Sequence, residues 1–154
     1  MKLSTNFSLA ELIKSQSATR LGLDNTPDDA VVDNLRTLCE EVLQKVRDHY
    51  GMPVVINSGY RSPQVNAAIG GSRISEHCKG MAADIEVPGI PNADLATWIK
   101  DHLRFRQLIL EFYTPGIPDS GWVHVSFDPV DLKQEILTAA RQGGKTVYLP
   151  GLVA

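Results

Sequence analysis

The sequence has few cysteines, no large excess of either charge and no long apolar run. Its 154 residues include two cysteines, Cys39 and Cys78, which are too few for a disulfide-stabilised scaffold. Fifteen lysines and arginines stand against 18 aspartates and glutamates, and the resulting net charge of −3 excludes a strongly basic nucleic-acid-binding protein. No charge-free stretch approaches the roughly 18 apolar residues that a membrane-spanning helix needs.

The first residues also lack the apolar segment of a secretory signal. The chain reaches Glu11 and Lys14 before an apolar region of about 7–15 residues can form, so we expect synthesis in the cytoplasm without a signal peptide. A hydrophobic share of 43% with 21% charged residues is close to the globular average and excludes a disordered chain. The length predicts a single domain over residues 1–154.

Helix signals dominate the N-terminal third of the chain. A capping box at Ser8–Glu11 predicts a short helix over Leu9–Ser17. Thr26 as N-cap and Pro27 at the first helical position predict a second helix, which ends at Gly51. Apolar residues at three- and four-residue spacing along this second helix predict one face packed against the core.

Strand signals follow the second helix. The predicted strands are Pro53–Ile56, Ala82–Val87, Gln107–Tyr113 and Trp122–Phe127, and the predicted helices between them are Ser62–Ile69 and Asn92–Leu103. At the C-terminus the sequence predicts a hairpin of Glu135–Arg141 with Thr146–Leu149, with a helix over Leu132–Ala140 as the alternative. Helices first and an antiparallel sheet later indicate an α+β domain.

Alternation along the strands places ionisable side chains on one face of the sheet. Asp84, Glu111 and His124 each alternate with apolar neighbours, so we expect them to line one cleft. His77 lies in the loop just before the strand that carries Asp84. Two histidine nitrogens and one carboxylate oxygen are typical of catalytic zinc, which keeps a fourth position for water. The alternative is that both histidines are partly buried and hydrogen-bonded without a metal, with a surface Asp84.

The residues around this cleft resemble those of a known family. Ser75–Asp84 reads SEHCKGMAAD and resembles the SxHxxGxAxD signature of the zinc D-alanyl-D-alanine carboxypeptidase family, which includes VanX- and VanY-type dipeptidases and phage endolysin peptidases. Ser58–Pro63, Gln107–Glu111 and Gly121–Ser126 also resemble segments of that family. The resemblance implies a Hedgehog/DD-peptidase-like fold, in which N-terminal helices pack on a small, mainly antiparallel sheet.

The same resemblance implies that His77, Asp84 and His124 hold Zn²⁺. Many members of the family carry the glutamate that transfers the proton three residues before the last histidine, and Gly121 occupies that position here. Glu111 is our candidate for this role instead, with Asp119 as the alternative. A plain surface carboxylate is the structural alternative for either residue.

Two further residues are expected to contact substrate. The Arg61 guanidinium suits a substrate carboxylate or a developing oxyanion, with a structural salt bridge as the alternative. Ser75 either contacts substrate or stabilises the turn before His77. Trp122 and Tyr113 are either platforms beside the cleft or packing residues.

These expectations define a zinc peptidase that cleaves peptidoglycan stem peptides. The specificity implied is that of a D-Ala-D-Ala carboxypeptidase or an L-Ala-D-Glu endopeptidase, and we expect a monomer. The chain would act at the bacterial cell wall, after holin-mediated release or as part of a phage particle. The alternative, motivated by Gly121, is a non-catalytic wall-binding or virion-structural module that keeps the fold and the metal.

Overall fold

A computed structural model describes residues 1–72 and 75–153 of the chain. Its helices are α1 (Leu9–Ile13), α2 (Gln16–Leu21), α3 (Asp29–Leu38), α4 (Gln44–Tyr50), α5 (Pro63–Ala68) and α6 (Asn92–His102). Its strands are β1 (Lys2–Ser4), β2 (Phe7–Ser8), β3 (Val55–Ser58), β4 (Ala82–Glu86), β5 (Gln107–Glu111), β6 (Trp122–Ser126), β7 (Glu135–Gln142) and β8 (Lys145–Pro150). A π-helical segment, Cys39–Leu43, joins α3 to α4, and a 3-10 helix, Glu76–Lys79, precedes β4.

The first predicted helix is two helices in the structure. Its N-terminus is as predicted, because the Ser8 hydroxyl accepts from the Glu11 amide and the Glu11 carboxylate accepts from the Ser8 amide. The prediction of one helix over Leu9–Ser17 is wrong beyond α1. Ser15 starts α2 with a cap of its own, in which its hydroxyl accepts from the Ala18 amide at 3.1 Å.

The second predicted helix begins later than the sequence suggested. Asp28, not Thr26, is the N-cap of α3, and its carboxylate accepts from the Val31 amide at 2.9 Å. The Thr26 amide instead donates to Asp24, which closes a local turn before the helix. The helical path then continues through the π-helical segment to the end of α4, where Gly51 follows as predicted.

The strands form one small and one large sheet. β1 and β2 form an antiparallel pair, and the large sheet has the order β3-β4-β6-β5-β7-β8. All neighbours in the large sheet are antiparallel except β5 and β7, which are parallel, so this sheet is mixed. The predicted C-terminal hairpin is present as β7 and β8, and the helical alternative for Leu132–Ala140 is wrong. The predicted α+β composition is therefore present, whereas the Hedgehog/DD-peptidase assignment stays a prediction.

The helices cover one face of the large sheet and leave the other face for the site. Apolar side chains that alternate along β4, β5 and β6 join the helices in one buried cluster. This cluster includes Leu35, Leu38, Leu43, Leu95 and Ile99 from the helical segments and Ile85, Leu108, Leu110, Val123 and Val125 from the strands. Within the described ranges, the helices are too short or too polar to cross a bilayer.

Candidate functional site

A short 3-10 helix holds His77 at the edge of the open face. Ser75 caps this helix, because its hydroxyl accepts from the His77 amide at 3.2 Å. The Nδ1 atom of His77 lies 2.8 Å from the carbonyl oxygen of Gly59. A carbonyl oxygen can only accept, so Nδ1 carries a proton, and Nε2 is the ring nitrogen left for another partner. His77 is almost completely buried in this position.

Gly59 holds this carbonyl in place because α1 approaches its backbone closely. A Cβ atom at residue 59 would lie 2.3 Å from the carbonyl oxygen of Leu12, so only glycine fits there. The next amide, that of Tyr60, donates to the same Leu12 oxygen at 2.7 Å. The N-terminal helix therefore fixes the backbone that orients the His77 ring.

Asp84 and His124 face each other across two neighbouring strands. They are directly paired in the register of β4 and β6, which puts both side chains on one face. The Oδ1 atom of Asp84 lies 3.2 Å from His124 Nδ1 and 3.4 Å from His77 Nε2. One possible ligand atom from each of these three residues lies within 4.8 Å of the others. The structure thus brings together the three predicted metal ligands.

The charges of this triad are strongly coupled. Burial alone would raise the pKa of Asp84, but hydrogen bonds from His124 and His77 and the charge on both rings hold that pKa well below its usual range. Burial alone would lower the pKa of His124, but the hydrogen bond and charge of Asp84 raise it. The carboxylate is therefore ionised at neutral pH, as a metal ligand must be.

The donor set of the triad fits a divalent cation. Both imidazoles turn a nitrogen onto the same Asp84 oxygen, His124 through Nδ1 and His77 through Nε2. Two nitrogens and one oxygen around a common point are a tetrahedral zinc set with one position open. His77, Asp84 and His124 could therefore hold zinc.

Glu111 lies on the strand next to His124 and shares its cavity. The cavity has a volume of about 400 Å³ and is lined by the triad, Arg61, Trp122 and Tyr148 as well as Glu111. The indole Nε1 of Trp122 donates to Glu111 Oε2 at 2.7 Å, which fixes the carboxylate. Burial raises the pKa of Glu111, and the negative charge of Asp84 raises it further. A carboxyl group with a raised pKa suits both accepting and returning a proton.

Asp119, the alternative for this role, lies elsewhere. It is exposed and lines a separate cavity with Glu86 and Ile90. Glu111 is thus the one of the two predicted carboxylates that shares a cavity with the triad.

The backbone explains why a glycine replaces the glutamate at position 121. Gly121 has a φ of 65°, and a Cβ atom there would lie 2.0 Å from the carbonyl oxygen of Glu111. The side chain of Asn92, the first residue of α6, also donates to the Gly121 carbonyl at 3.2 Å. No side chain fits at residue 121, so a carboxylate in this cavity has to come from another element.

We expect Gly121→Ala to destabilise the fold and to displace Glu111. The free energy of unfolding should fall by about 3 kcal/mol or more, because a left-handed alanine costs about 1–2 kcal/mol and the steric overlap adds to that cost. Gly143→Ala is the matched control, since Gly143 has a φ of 59° and open space around its Cβ position. Urea denaturation of both variants measures the difference, and equal losses would contradict the close packing at residue 121.

Arg61 has no carboxylate partner within residues 1–72 and 75–153. In these ranges its buried Nε atom makes no hydrogen bond, and its Nη2 atom lies 3.5 Å from the Ser75 hydroxyl. Arg106, which lines the same cavity, is by contrast paired with Glu76 at 3.1 Å and Asp131 at 3.4 Å. The structural salt bridge considered for Arg61 is absent from the described residues, so its guanidinium is open to an anion in the cavity.

The remaining candidates and the two cysteines lie either at the cavity or away from it. Ser75 caps the 3-10 helix and also lines the cavity, so its contact with substrate stays a prediction, whereas Tyr113 packs against the core. Cys39 is buried in the core, where burial raises the pKa of its thiol to about 12. Cys78 is partly buried and lines a different cavity, beside Pro63.

The sequence analysis missed the part of the cavity that β8 provides. Tyr148 lines the cavity although it lies 24 residues beyond His124 in the sequence. Alternation along the predicted hairpin places Tyr148 on one face, but the parallel pairing of β5 with β7 has no local signal. Only that pairing brings the hairpin beside Glu111.

The chain is similar to a known protein family over most of its length. A family model described as Peptidase M15 matches residues 5–126. The chain belongs to the peptidase M15 family. This M15 membership confirms the predicted resemblance and indicates a metallopeptidase, in a family that is generally zinc-dependent. A search of curated proteins found no match to the chain. The M15 match contains the triad, Arg61 and Glu111, and it ends at the last residue of β6.

Proposed function

We propose that this chain is a zinc metallopeptidase that hydrolyses peptide bonds in the stem peptides of bacterial peptidoglycan. The observation that carries the proposal is the convergence of His77 Nε2 and His124 Nδ1 on Asp84 Oδ1, in a cavity that also holds Glu111. Membership of the peptidase M15 family supports the same class of reaction.

Different residues of the cavity have different roles in peptide hydrolysis. His77, Asp84 and His124 would hold zinc, and the bound ion would supply Lewis acidity and an activated water for peptide hydrolysis. Glu111 accepts a proton from the attacking water and returns it to the leaving amine. The indole of Trp122 holds the Glu111 carboxylate in position for both transfers.

Arg61 provides the anchor for the substrate. Stem peptides carry carboxylates, and a half-buried guanidinium that has no carboxylate partner among the described residues can bind one through two parallel hydrogen bonds. A carboxylate at the C-terminus would make the enzyme a D-Ala-D-Ala carboxypeptidase, and one within the stem would make it an L-Ala-D-Glu endopeptidase. We place the reaction at the cell wall, reached after holin-mediated release or as part of a phage particle, with a monomer of one domain over residues 1–154.

Digestion of defined peptides tests this function. The zinc-loaded protein should cleave a stem pentapeptide, L-Ala-γ-D-Glu-L-Lys-D-Ala-D-Ala, into products that mass spectrometry identifies. A chelator should abolish the products, and added zinc should restore them. Binding to purified peptidoglycan without any product would contradict the enzyme and favour the non-catalytic wall-binding module.

We expect Arg61→Lys to lower kcat/KM by about tenfold or more while the zinc content stays unchanged. Lysine keeps the positive charge but loses the planar fork that holds a carboxylate at two points. Arg20→Lys, on the exposed surface of α2, is the control and should keep wild-type kinetics. Steady-state kinetics with parallel metal analysis measures the effect, and unchanged kinetics would return Arg61 to a structural role.

A further inference from the structure

The C-terminal hairpin lies outside the family match and still reaches the cavity. The match ends at residue 126, whereas β7 and β8 follow it and extend the large sheet. β7 pairs with β5, the strand that carries Glu111, and β8 forms the edge of the sheet. The hairpin therefore adds a wall to a site whose reacting groups come from the matched part of the chain.

The strand registers place four side chains in one row across the sheet. Trp122 pairs with Glu111, Glu111 with Ala139, and Ala139 with Tyr148. Residues paired in this way point to the same face, so Tyr148 shares the face of Glu111 at two strand spacings, or about 10 Å. Ala139 between them is small and only 1% exposed, which leaves room for the tyrosine ring above it.

Tyr148 lies on the side of Glu111 that faces away from the metal ligands. Asp84 is on β4 and His124 on β6, and the sheet continues from there through β5 and β7 to β8. Glu111 protonates the leaving amine under the proposed function, so that amine has to lie beside Glu111. The peptide that continues from this amine then extends toward β8.

We propose that Tyr148 is a substrate-binding residue that contacts the leaving-group side of the peptide. Tyr148 as a whole is 55% exposed and lines the cavity, and its hydroxyl has no hydrogen-bond partner among residues 1–72 and 75–153. The ring forms an aromatic wall for the peptide, and the hydroxyl donates to a peptide carbonyl beyond the scissile bond. This inference rests on the proposed function and adds a specificity residue to it.

Two further observations agree with this role for Tyr148. Burial raises the pKa of Tyr148, and the charge of Glu111 raises it further, so the phenol is a hydrogen-bond donor at neutral pH. The Arg141 guanidinium of β7 lies 5.1 Å from the centre of the Phe112 ring, which ties the hairpin to the end of β5. A wall residue on a fixed element loses little freedom when substrate binds.

Peptides that differ only in leaving-group length test the inference. Two substrates share the acyl side of the bond that the wild-type enzyme cleaves, and they carry either one or three residues on the amine side. Tyr148→Ala should lower kcat/KM about tenfold for the long leaving group and less than about twofold for the short one. Tyr148→Phe should lose about threefold with the long substrate, because it keeps the ring and loses one hydrogen bond.

A matched variant and a binding measurement separate the outcomes. Thr146→Ala changes an exposed β8 residue on the same face and should keep wild-type kinetics with both substrates. The three-residue amine product should bind Tyr148→Ala about tenfold more weakly than wild type in calorimetric titration. An equal loss of kcat/KM for both substrates in Tyr148→Ala would overturn the inference. Failure of the wild type to cleave the substrate with the long leaving group would also overturn it. Absence of hydrolysis by the wild type would instead remove the proposed function.

Discussion

Glu111→Gln is expected to lower kcat by about 10²–10⁴-fold, which is the usual contribution of a positioned general acid–base group. Glutamine is nearly isosteric with glutamate and can still accept the hydrogen bond that Trp122 donates to residue 111 at 2.7 Å. The fold and the zinc content should therefore be preserved, and only proton transfer should be lost. Single-turnover kinetics at saturating zinc measures the effect.

Asp119→Asn is the control for this substitution. It removes the same kind of charge from an exposed carboxylate outside the triad cavity, and it should leave kcat within about twofold of wild type. A wild-type rate for Glu111→Gln together with a large loss for Asp119→Asn would move the base to the loop before β6. Wild-type rates in both variants would contradict any proton transfer by these carboxylates.

His77→Ala and His124→Ala are each expected to abolish zinc binding and hydrolysis. The remaining histidine and Asp84 form a two-ligand site, which is one ligand short of a catalytic zinc site. Purified wild-type protein should contain about one zinc per chain, and each variant should contain almost none. Metal analysis by mass spectrometry after dialysis measures this content.

His49→Ala is the matched control for the histidine variants. His49 lies at the end of α4, where its ring stacks on Trp98 at 4.2 Å, and it has no contact with the triad. This variant should keep its zinc and its activity. Full zinc occupancy in both His77→Ala and His124→Ala would show that the metal binds elsewhere.

The sequence predicted which candidate residues lie together because their placement depends on local patterns. A period of two along a strand puts Asp84 and His124 on one face, and a short loop limits how far His77 can lie from Asp84. The same alternation brought Glu111 into the cleft. The family resemblance then selected these residues from the other ionisable groups, and the family match confirmed the resemblance, while the roles of the residues stay a prediction.

Other features depended on interactions that the sequence pattern does not encode. Thr26 and Asp28 are both plausible N-caps for α3, and Asp28 takes this place while the Thr26 amide donates to Asp24 in a turn before the helix. The position of Tyr148 depends on a parallel pairing of β7 with β5 over a long separation in sequence. The sequence also does not explain why residue 121 is glycine rather than glutamate. The reason is the Glu111 carbonyl oxygen, which lies where a Cβ atom of residue 121 would be.

X-ray diffraction at the zinc absorption edge tests the central claim most directly. Crystals of the zinc-loaded protein should show one strong anomalous peak, with His77 Nε2, an Asp84 oxygen and His124 Nδ1 each at about 2.0–2.2 Å from it. The peak should lie in the cavity that Glu111 and Arg61 line, with its fourth position facing that cavity. A fully loaded crystal with no peak between these three residues, or with its peak at other ligands, would contradict the account.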